Sequence, residues 1–463
     1  MAMLSRSRLL PACLFLLFGI AGAVSAWICR HALGSTPHIP DEVAYVFQAR
    51  IFASGRLWLN PPSVPEAFRL DHIVLTGDRW CSIYPPGWPT ILMIGSWLKA
   101  EWLINPLVLA LSVAGVWILG RRLYDEKTAT LAALLYACSP FTLLMGAGFM
   151  AHQATLCSSL WCLVALVSRR HVTAGFLAGI ALLCRPFTAV FLLFPAFLWQ
   201  RKSWRLHSPG ILVAVLLTFL YNTFVFENPL RSGYSFDTTS KNDYFFVAAF
   251  IQNAPWYFRS LNQCLWGWPF PNLLLLLPLL LRRVRKKEDC VLVLCSAALV
   301  LAHCFFYWTD IVYSGPRYAY EAMGLFSLLA ARSILSSSKR WIVIPASVLL
   351  IAYPLFTRLP DQIRYHSQIY HGQAPFPIPK DVGNNALIFV SGKPDVLASF
   401  FLRSDGSRIF VRNLPRMRDE IRRAYPRKET WIVEVELEPL PGPNLYTDRW
   451  KLRSIHWSSL PEF

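Results

Sequence analysis

The chain has 463 residues, of which 55% are hydrophobic and only 16% are charged, whereas soluble proteins carry about 25% charged residues. This composition argues against a water-soluble globule and rules out intrinsic disorder. The formal net charge of +18 results from 45 Lys+Arg and 27 Asp+Glu. Such an excess fits nucleic-acid binding, anionic lipid or the inner-face bias of a membrane protein, and the positions of the cations decide between them.

The first apolar run extends from Leu9 to Cys29 and follows Arg6 and Arg8. It is long enough to cross a hydrocarbon core of about 30 Å. Because the residues before His31 give no convincing small-x-small cleavage site, we predict a membrane anchor and not a cleaved signal peptide.

Nine further apolar runs follow and predict a polytopic helical membrane protein. They cover approximately Trp102–Leu119, Thr128–Gly146, Ala151–Ser168, Ala174–Trp199, Ser208–Phe226, Leu265–Leu281, Cys290–Trp308, Arg317–Ser333 and Trp341–Phe356.

The run Ala174–Trp199 has two interpretations, because Arg185-Pro186 interrupts its middle. A single crossing places the later basic clusters, which include Arg201, Arg282, Arg283 and Lys339, outside the cell, against the positive-inside rule. A hairpin that turns at Arg185-Pro186 places them inside, so we favour the hairpin. Its short arms are then re-entrant or thin the bilayer locally.

The hairpin gives about eleven membrane segments, a cytoplasmic N-terminus and an extracytoplasmic C-terminus. The basic charge is then largely an orientation signal, which makes nucleic acid an improbable partner and membrane lipids the expected surroundings. A bacterial inner membrane is the natural location, although an endoplasmic reticulum protein with a lumenal tail satisfies the same charge rules.

Three pieces remain outside the membrane: a first outer loop at about 30–101, a loop at about 227–264, and the tail from 357. The tail has short β-type runs and a basic helix-like piece near Arg416–Arg423, which predict a small α/β domain. We therefore predict an all-α polytopic membrane domain over 1–356, with an interfacial helix in its first outer loop, and a C-terminal α/β domain over 357–463.

The first outer loop carries Asp41-Glu42, followed by Val43, Phe47 and Ile51 at helical spacing. This pattern predicts an amphipathic helix in the membrane interface. The two acids either cap that helix and complement its dipole or carry chemistry. Farther along the loop, a proline-stiffened turn from Tyr84 to Trp88 has an aromatic belt as its plain interpretation.

Three polar residues accompany the membrane helices on the predicted outer side. His152 starts one of them, where a partly hydrated side chain is the plain explanation. Arg185 is more informative, because an Arg at the bilayer centre costs about 2.5–3.5 kcal/mol on insertion scales. Its guanidinium suits phosphate, whereas a structural Arg would pair with helix-end carbonyls or a carboxylate. Arg317 is a second candidate, or an interface anchor.

The order of these motifs resembles the GT-C superfamily of integral-membrane glycosyltransferases, similar to protein O-mannosyltransferases and aminoarabinose transferases of glycosyltransferase family 39. The likeness covers roughly residues 9–356. The matching motifs are Asp41-Glu42-x-x-Tyr45, Tyr84-Pro85-Pro86-Gly87-Trp88, Leu119-Gly120-Arg121-Arg122-Leu123-Tyr124, Ser139-Pro140, Leu183-Cys184-Arg185-Pro186 and Gly315-Pro316-Arg317-Tyr318.

The resemblance implies an inverting transfer of a sugar from a polyprenyl-phosphate donor to a lipid, glycan or protein acceptor. Asp41 would be the catalytic base, with Glu42 orienting or substituting for it, and His152 would orient or relay a proton. The expected substrate-binding residues are Arg185 and Arg317 at the lipid phosphate, with Tyr45, Tyr84, Trp88, Arg231, Tyr234 and Tyr318.

The chain departs from the family at Ala151-His152-Gln153, where many members have a second acidic residue. A two-carboxylate site is thereby in doubt. No cofactor is expected; a divalent metal is conceivable but not predicted. The rival functions are a lipid-linked-sugar flippase or transporter, which normally shows internal repeats, and a polysaccharide polymerase or ligase.

Overall fold

The structure is a computed structural model that describes residues 2–236, 245–276, 286–336, 340–368, 378–392, 400–404, 406–440 and 449–460. The basic residues Lys241, Arg282, Arg283, Arg285 and Lys339, which enter the charge count, lie outside this described part.

Helices dominate the first 368 residues. Those in the first 226 residues are α1 (Ala2–His31), α2 (Pro40–Ala53), α3 (Gly87–Trp97), α4 (Glu101–Leu123), α5 (Glu126–Ala137), α6 (Pro140–Ala147), α7 (His152–Val167), α8 (His171–Cys184), α9 (Pro186–Trp199) and α10 (Trp204–Phe226). Those that follow are α11 (Val247–Cys264), α12 (Lys287–Cys304), α13 (Met323–Leu335), α14 (Arg340–Tyr353) and α15 (Leu359–Gln368). Between α12 and α13 lie two short paired strands, β3 (Ile311–Val312) and β4 (Gly315–Pro316).

Within the described residues, three helical stretches are long and apolar enough to cross a membrane: Glu101–Leu123, Arg201–Phe226 and Val343–Gln368. The pair α5 and α6 makes a fourth if its 60° bend is part of one span. Helices α7, α8 and α9 are apolar but shorter. The chain is therefore mostly helical with several apolar spans, and eleven segments stays a prediction.

Helices α8 and α9 form a hairpin. The ring nitrogens of His171, at the start of α8, and His207 are 2.9 Å apart, and the ring of Phe197, near the end of α9, lies 5.0 Å from the ring of His207. A single straight helix would separate residues 171 and 197 by about 39 Å at 1.5 Å per residue. The chain therefore reverses at Arg185, between the two helices.

The first outer loop contains α2, a hairpin of strands β1 (Ile73–Thr76) and β2 (Arg79–Ser82), and α3. The helix predicted at Asp41-Glu42 is present and is buried on most of its surface, so it lacks a broad solvent-exposed polar face. Its position in the membrane interface stays a prediction. The C-terminal domain covers it: the ring of Phe401 lies 5.2 Å from that of Phe47.

A close approach joins this loop to the hairpin. A Cβ atom on Gly87 would lie 2.5 Å from the carbonyl carbon of Leu183, so only glycine fits at the start of α3. The aromatic turn that contains Gly87 is thereby held against the last turn of α8, next to Arg185.

The C-terminal domain is a four-stranded sheet with strand order β6-β5-β7-β8. Its strands are β5 (Ala386–Ser391), β6 (Arg408–Arg412), β7 (Glu429–Leu440) and β8 (Arg449–Ser459), with α16 (Arg418–Ala424) between β6 and β7. Strand β5 pairs in parallel with β6 and β7, and β8 is antiparallel to β7. The predicted small sheet domain therefore exists. A helical span runs through the predicted boundary at 356 to Gln368.

Candidate functional site

A cavity of about 840 Å³ opens where the first outer loop, the apex of the α8–α9 hairpin, the end of α10 and the segment after α12 converge. It is lined by both charged and aromatic side chains. They include Asp41, His72, Tyr84, Arg185, Tyr234, His303, Asp310, Arg317 and Tyr318.

Asp41 stands at the start of α2 and faces this cavity. Its Oδ1 accepts hydrogen bonds from the hydroxyl of Tyr84 at 2.7 Å and from a terminal nitrogen of Arg317 at 3.2 Å. Its Oδ2 lies 3.8 Å from Nε2 of His72. Burial alone raises the pKa of Asp41, but Arg317, His72 and Tyr84 outweigh it and hold the pKa well below its usual range. Asp41 is therefore a carboxylate at neutral pH.

Glu42 points away from the cavity, because consecutive helical residues differ by about 100° around the axis. It is fully buried and accepts hydrogen bonds from the backbone N–H groups of His38 at 2.8 Å and Phe149 at 2.7 Å and from the hydroxyl of Tyr313 at 2.9 Å. Burial raises the pKa of Glu42 to about 7, and these donors oppose it. Glu42 thus joins α2 by hydrogen bonds to the segments that contain Phe149 and Tyr313.

The two arginines flank one aromatic ring. The guanidinium carbon of Arg317 lies 4.7 Å from the centre of the Tyr318 ring, and that of Arg185 lies 5.7 Å from it. A terminal nitrogen of Arg317 also donates to the hydroxyl of Tyr318 at 2.8 Å. Each guanidinium also has a carboxylate partner, Asp41 for Arg317 and Glu321 for Arg185. The two arginines at one cavity wall supply N–H donors of the kind that bind phosphate.

Arg185 has a buried carboxylate partner, Glu321, which is the pairing expected of a structural arginine, although Arg185 also lines the cavity. The Nε of Arg185 lies 3.0 Å from Oε1 of Glu321, and Nδ1 of His152 lies 2.9 Å from the same oxygen. The side chains of His152 and Glu321 are 0% exposed, whereas that of Arg185 is 15% exposed. The partly hydrated position expected for His152 is therefore wrong: it lies behind the cavity wall, because the segment Arg317–Ala322 covers the start of α7.

The remaining expected substrate-binding residues divide into two groups. Tyr84, Tyr234 and Tyr318 line the cavity, and Tyr45 and Trp88 do not. The Tyr45 ring packs on that of Tyr84 at 4.3 Å, and Trp88 donates to the carbonyl of Phe149 at 2.7 Å.

Arg231 also lies outside the cavity lining. It is exposed, and its guanidinium covers the ring of Phe236 at 4.1 Å. The local sequence therefore identified the segments that form the site, but it did not predict which side chains of those segments face the cavity.

Sequence reasoning missed Glu321, His72 and His303. Glu321 had a usable signal, because a carboxylate inside an apolar run is costly and usually paired. His303 lies at the end of α12, where its ring stacks on Tyr318 at 5.3 Å. His72 precedes β1 in a left-handed backbone conformation, with φ of 62°, and nothing local in the sequence connects it to Asp41.

Among the residues that the structure describes, no group of three or more His, Cys, Asp and Glu side chains is placed to hold a metal ion. The expectation of no obligatory metal stays a prediction.

Residues 90–225 match the family model described as dolichyl-phosphate-mannose-protein mannosyltransferase. No curated protein matches the chain by sequence.

Among solved structures, the chain is similar to ArnT from Cupriavidus metallidurans bound to undecaprenyl phosphate, with 12% identity, a TM-score of 0.54, and coverage of 94% of this chain and 97% of ArnT. The apo state of that ArnT gives 12% identity, a TM-score of 0.55, and coverage of 98% of both chains. The oligosaccharyltransferase of Archaeoglobus fulgidus has 14% identity and a TM-score of 0.48 over 90% of this chain and 68% of that one.

At this level of identity the likeness to ArnT establishes the fold. The resemblance to the GT-C superfamily of glycosyltransferases is confirmed over residues 90–225, where the mannosyltransferase family model matches.

Proposed function

We propose that the protein is a membrane glycosyltransferase that moves a sugar from a polyprenyl-phosphate donor to an acceptor at the outer face of the membrane. The observation that carries this proposal is that the carboxylate of Asp41 and the guanidinium groups of Arg185 and Arg317 line the same cavity. A carboxylate suits proton removal from a hydroxyl, and guanidinium groups suit a phosphate leaving group.

In the proposed reaction, the acceptor hydroxyl attacks the anomeric carbon of the donor sugar from the side opposite the phosphate. The new carbon–oxygen bond forms as the bond from that carbon to the phosphate oxygen breaks, so the configuration inverts. Polyprenyl phosphate leaves with the bonding electron pair, and the acceptor proton passes to Asp41. Because the pKa of Asp41 is low, the proton moves late, when the attacking oxygen has become acidic.

The arginines would act on the phosphate, which gains negative charge as its bond to the sugar breaks. Arg185 is at the hairpin apex and Arg317 precedes α13, so two separate segments would hold one leaving group. Arg317 also donates a hydrogen bond to Asp41 at 3.2 Å. This contact would link the position of the base to that of the arginine at the leaving group.

The proposed membrane is the bacterial inner membrane, with the N-terminus in the cytoplasm and the C-terminus in the periplasm. The positions of His171 and Phe197 beside His207 support the reversal at Arg185 on which this orientation depends. The acceptor class and the identity of the sugar are open, with hexoses and pentoses both candidates.

The test is a transfer assay in liposomes with a panel of undecaprenyl-phosphate hexoses and pentoses and extracts that contain lipid, glycan and protein acceptors. The expected result is labelled product together with an equal amount of undecaprenyl phosphate. Movement of the donor across the bilayer without release of undecaprenyl phosphate would overturn the proposal and favour a flippase.

A further inference from the structure

We propose that Glu321 is the positioning residue for Arg185, holding its guanidinium by Nε so that the terminal nitrogens remain available to the donor phosphate. This inference rests on the proposed function and adds to it a residue that never touches the substrate.

The geometry of the contact is specific. Oε1 of Glu321 lies 3.0 Å from Nε of Arg185 and 2.9 Å from Nδ1 of His152. One oxygen thus lies within ion-pair distance of two nitrogen groups from separate helical segments, the hairpin apex and the start of α7, and neither contact has hydrogen-bond geometry. Glu321 itself belongs to the helical turn Arg317–Ala322, so three parts of the chain meet at one carboxylate.

Stability alone does not explain this cluster. A buried ion pair gains little over well-packed apolar side chains of similar volume, because desolvation offsets the attraction. An Arg–Glu pair of purely structural use would also be shielded from the cavity. Arg185 instead lines the cavity and keeps 15% of its side chain exposed, whereas Glu321 and His152 are closed off from it.

The arrangement of donors in the guanidinium supports separate roles for Nε and the terminal nitrogens of Arg185. Arginine has five N–H donors in a rigid plane, one on Nε and four on the terminal nitrogens. Nε of Arg185 donates to the hydroxyl of Thr188 at 3.4 Å. The charge of Glu321 lies 3.0 Å from the same nitrogen, so the Nε edge of the guanidinium is held between two partners and its plane cannot swing freely. A phosphate that enters the cavity then meets an oriented fork and loses less conformational entropy on binding.

Arg317 provides an internal comparison, because its carboxylate partner Asp41 lines the cavity. Removing Asp41 would change the reacting atoms and the arginine position together. Glu321 does not line the cavity, so removing its charge leaves the reacting atoms in place, which makes this pair the cleaner test.

The experiment is a double-mutant cycle in the full-length protein in detergent, with undecaprenyl phosphate as the probe. Its dissociation constant is measured for wild type, Glu321→Gln, Arg185→Gln and the double variant, together with the donor KM and the acceptor KM. We expect Glu321→Gln to raise the dissociation constant and the donor KM about tenfold with little change in the acceptor KM. In the Arg185→Gln background it should add less than about twofold, because coupled residues are not additive.

Glu101→Gln is the matched control, since Glu101 lies 3.0 Å from Nε of Arg50 and neither residue lines the cavity. If Glu321→Gln does not fold, Glu321→Asp with Arg185→Lys completes an equivalent cycle. An equal loss of binding in both backgrounds, no loss in either, or a wild type that does not bind undecaprenyl phosphate would overturn the inference.

The two proposals fail separately. A wild type that binds undecaprenyl phosphate but transfers no sugar contradicts the proposed function, and the binding cycle still tests Glu321. A wild type that transfers sugar and a Glu321→Gln variant with unchanged binding contradict only the positioning role.

Discussion

Asp41 and Glu42 are adjacent in the chain and lie in opposite environments. Asp41 faces a cavity with two cations, whereas Glu42 is enclosed by N–H and O–H donors from three segments. The first is a carboxylate that a substrate can reach, and the second joins α2 to the start of α7 and to the loop before Arg317. Two acids that look alike in the sequence therefore have different expected phenotypes.

Replacing Asp41 with Asn should reduce the transfer rate at least about 100-fold, because the amide cannot accept the acceptor proton. Undecaprenyl phosphate should still bind, since Arg185 and Arg317 remain. The measurement is the initial rate of sugar transfer at saturating donor. Asp78→Asn is the control, because the side chain of Asp78 is 73% exposed in the turn between β1 and β2. A rate within twofold of wild type would remove Asp41 as the base.

Glu42 should make stability depend on pH. Its pKa is about 7 in the folded protein and 4.5 as a reference value, so the unfolded chain releases this proton first as pH rises. The stability that protonated Glu42 contributes is complete below pH 4.5 and is lost as pH rises through 7. The change amounts to about 3 kcal/mol.

Glu42→Gln removes this pH dependence. We therefore expect the melting temperature of Glu42→Gln minus that of wild type to be higher at pH 8 than at pH 5. Thermal unfolding in detergent at the two pH values measures the difference. A constant gap between the two proteins would show that Glu42 does not titrate in this range.

At the scale of elements, the hairpin of α8 and α9 places a charged apex beside the first outer loop. The contact is narrow, because Gly87 meets the backbone of Leu183 without room for a methyl group. Leu183 is two residues before Arg185, so the position of the aromatic turn and that of the arginine depend on each other.

Gly87→Ala should therefore destabilise the protein by about 1–3 kcal/mol, as overpacking usually does, and weaken the binding of undecaprenyl phosphate by moving Arg185. Thermal unfolding and the dissociation constant are the two measurements. Gly19→Ala in α1 is the control, because a Cβ there meets no atom within 4 Å. Unchanged stability in Gly87→Ala would contradict the close packing.

The whole molecule joins a membrane domain to a sheet domain through α2. Phe401 packs on the rings of Phe47 and Trp80, at 5.2 and 5.6 Å, and Arg50 donates to the carbonyl of Leu402 at 2.8 Å. The face of α2 that points away from the cavity is thus covered by the tail. The sheet domain supports the helix that presents Asp41.

Phe401→Ala should expose this interface and cost about 3–5 kcal/mol, the usual range for a buried phenylalanine. We expect a lower melting temperature and faster proteolysis of the tail in the full-length protein, with a reduced transfer rate because α2 loses its support. Phe356→Ala is the control, since Phe356 is 79% exposed on a helix. A variant that is as stable and as protease-resistant as wild type would contradict the docking.

The sequence by itself determined the class of the protein, because hydrophobicity and the placement of basic residues act locally. Apolar runs predict helices wherever they occur, and the cost of burying Arg185 marks that residue without any knowledge of its neighbours. The same charge count predicted the reversal at Arg185 that the contacts of His171 and Phe197 with His207 support.

Only the tertiary structure decided which side chains meet. The sequence predicted an amphipathic helix at α2 because it does not reveal that the tail covers it, and the local pattern alone gave Asp41 and Glu42 the same two alternatives, helix capping or chemistry. Glu321 and His72 join the site from segments far away in the chain, at 3.0 Å from Arg185 and 3.8 Å from Asp41. Such contacts depend on the packing of distant elements, and local periodicity carries no information about that packing.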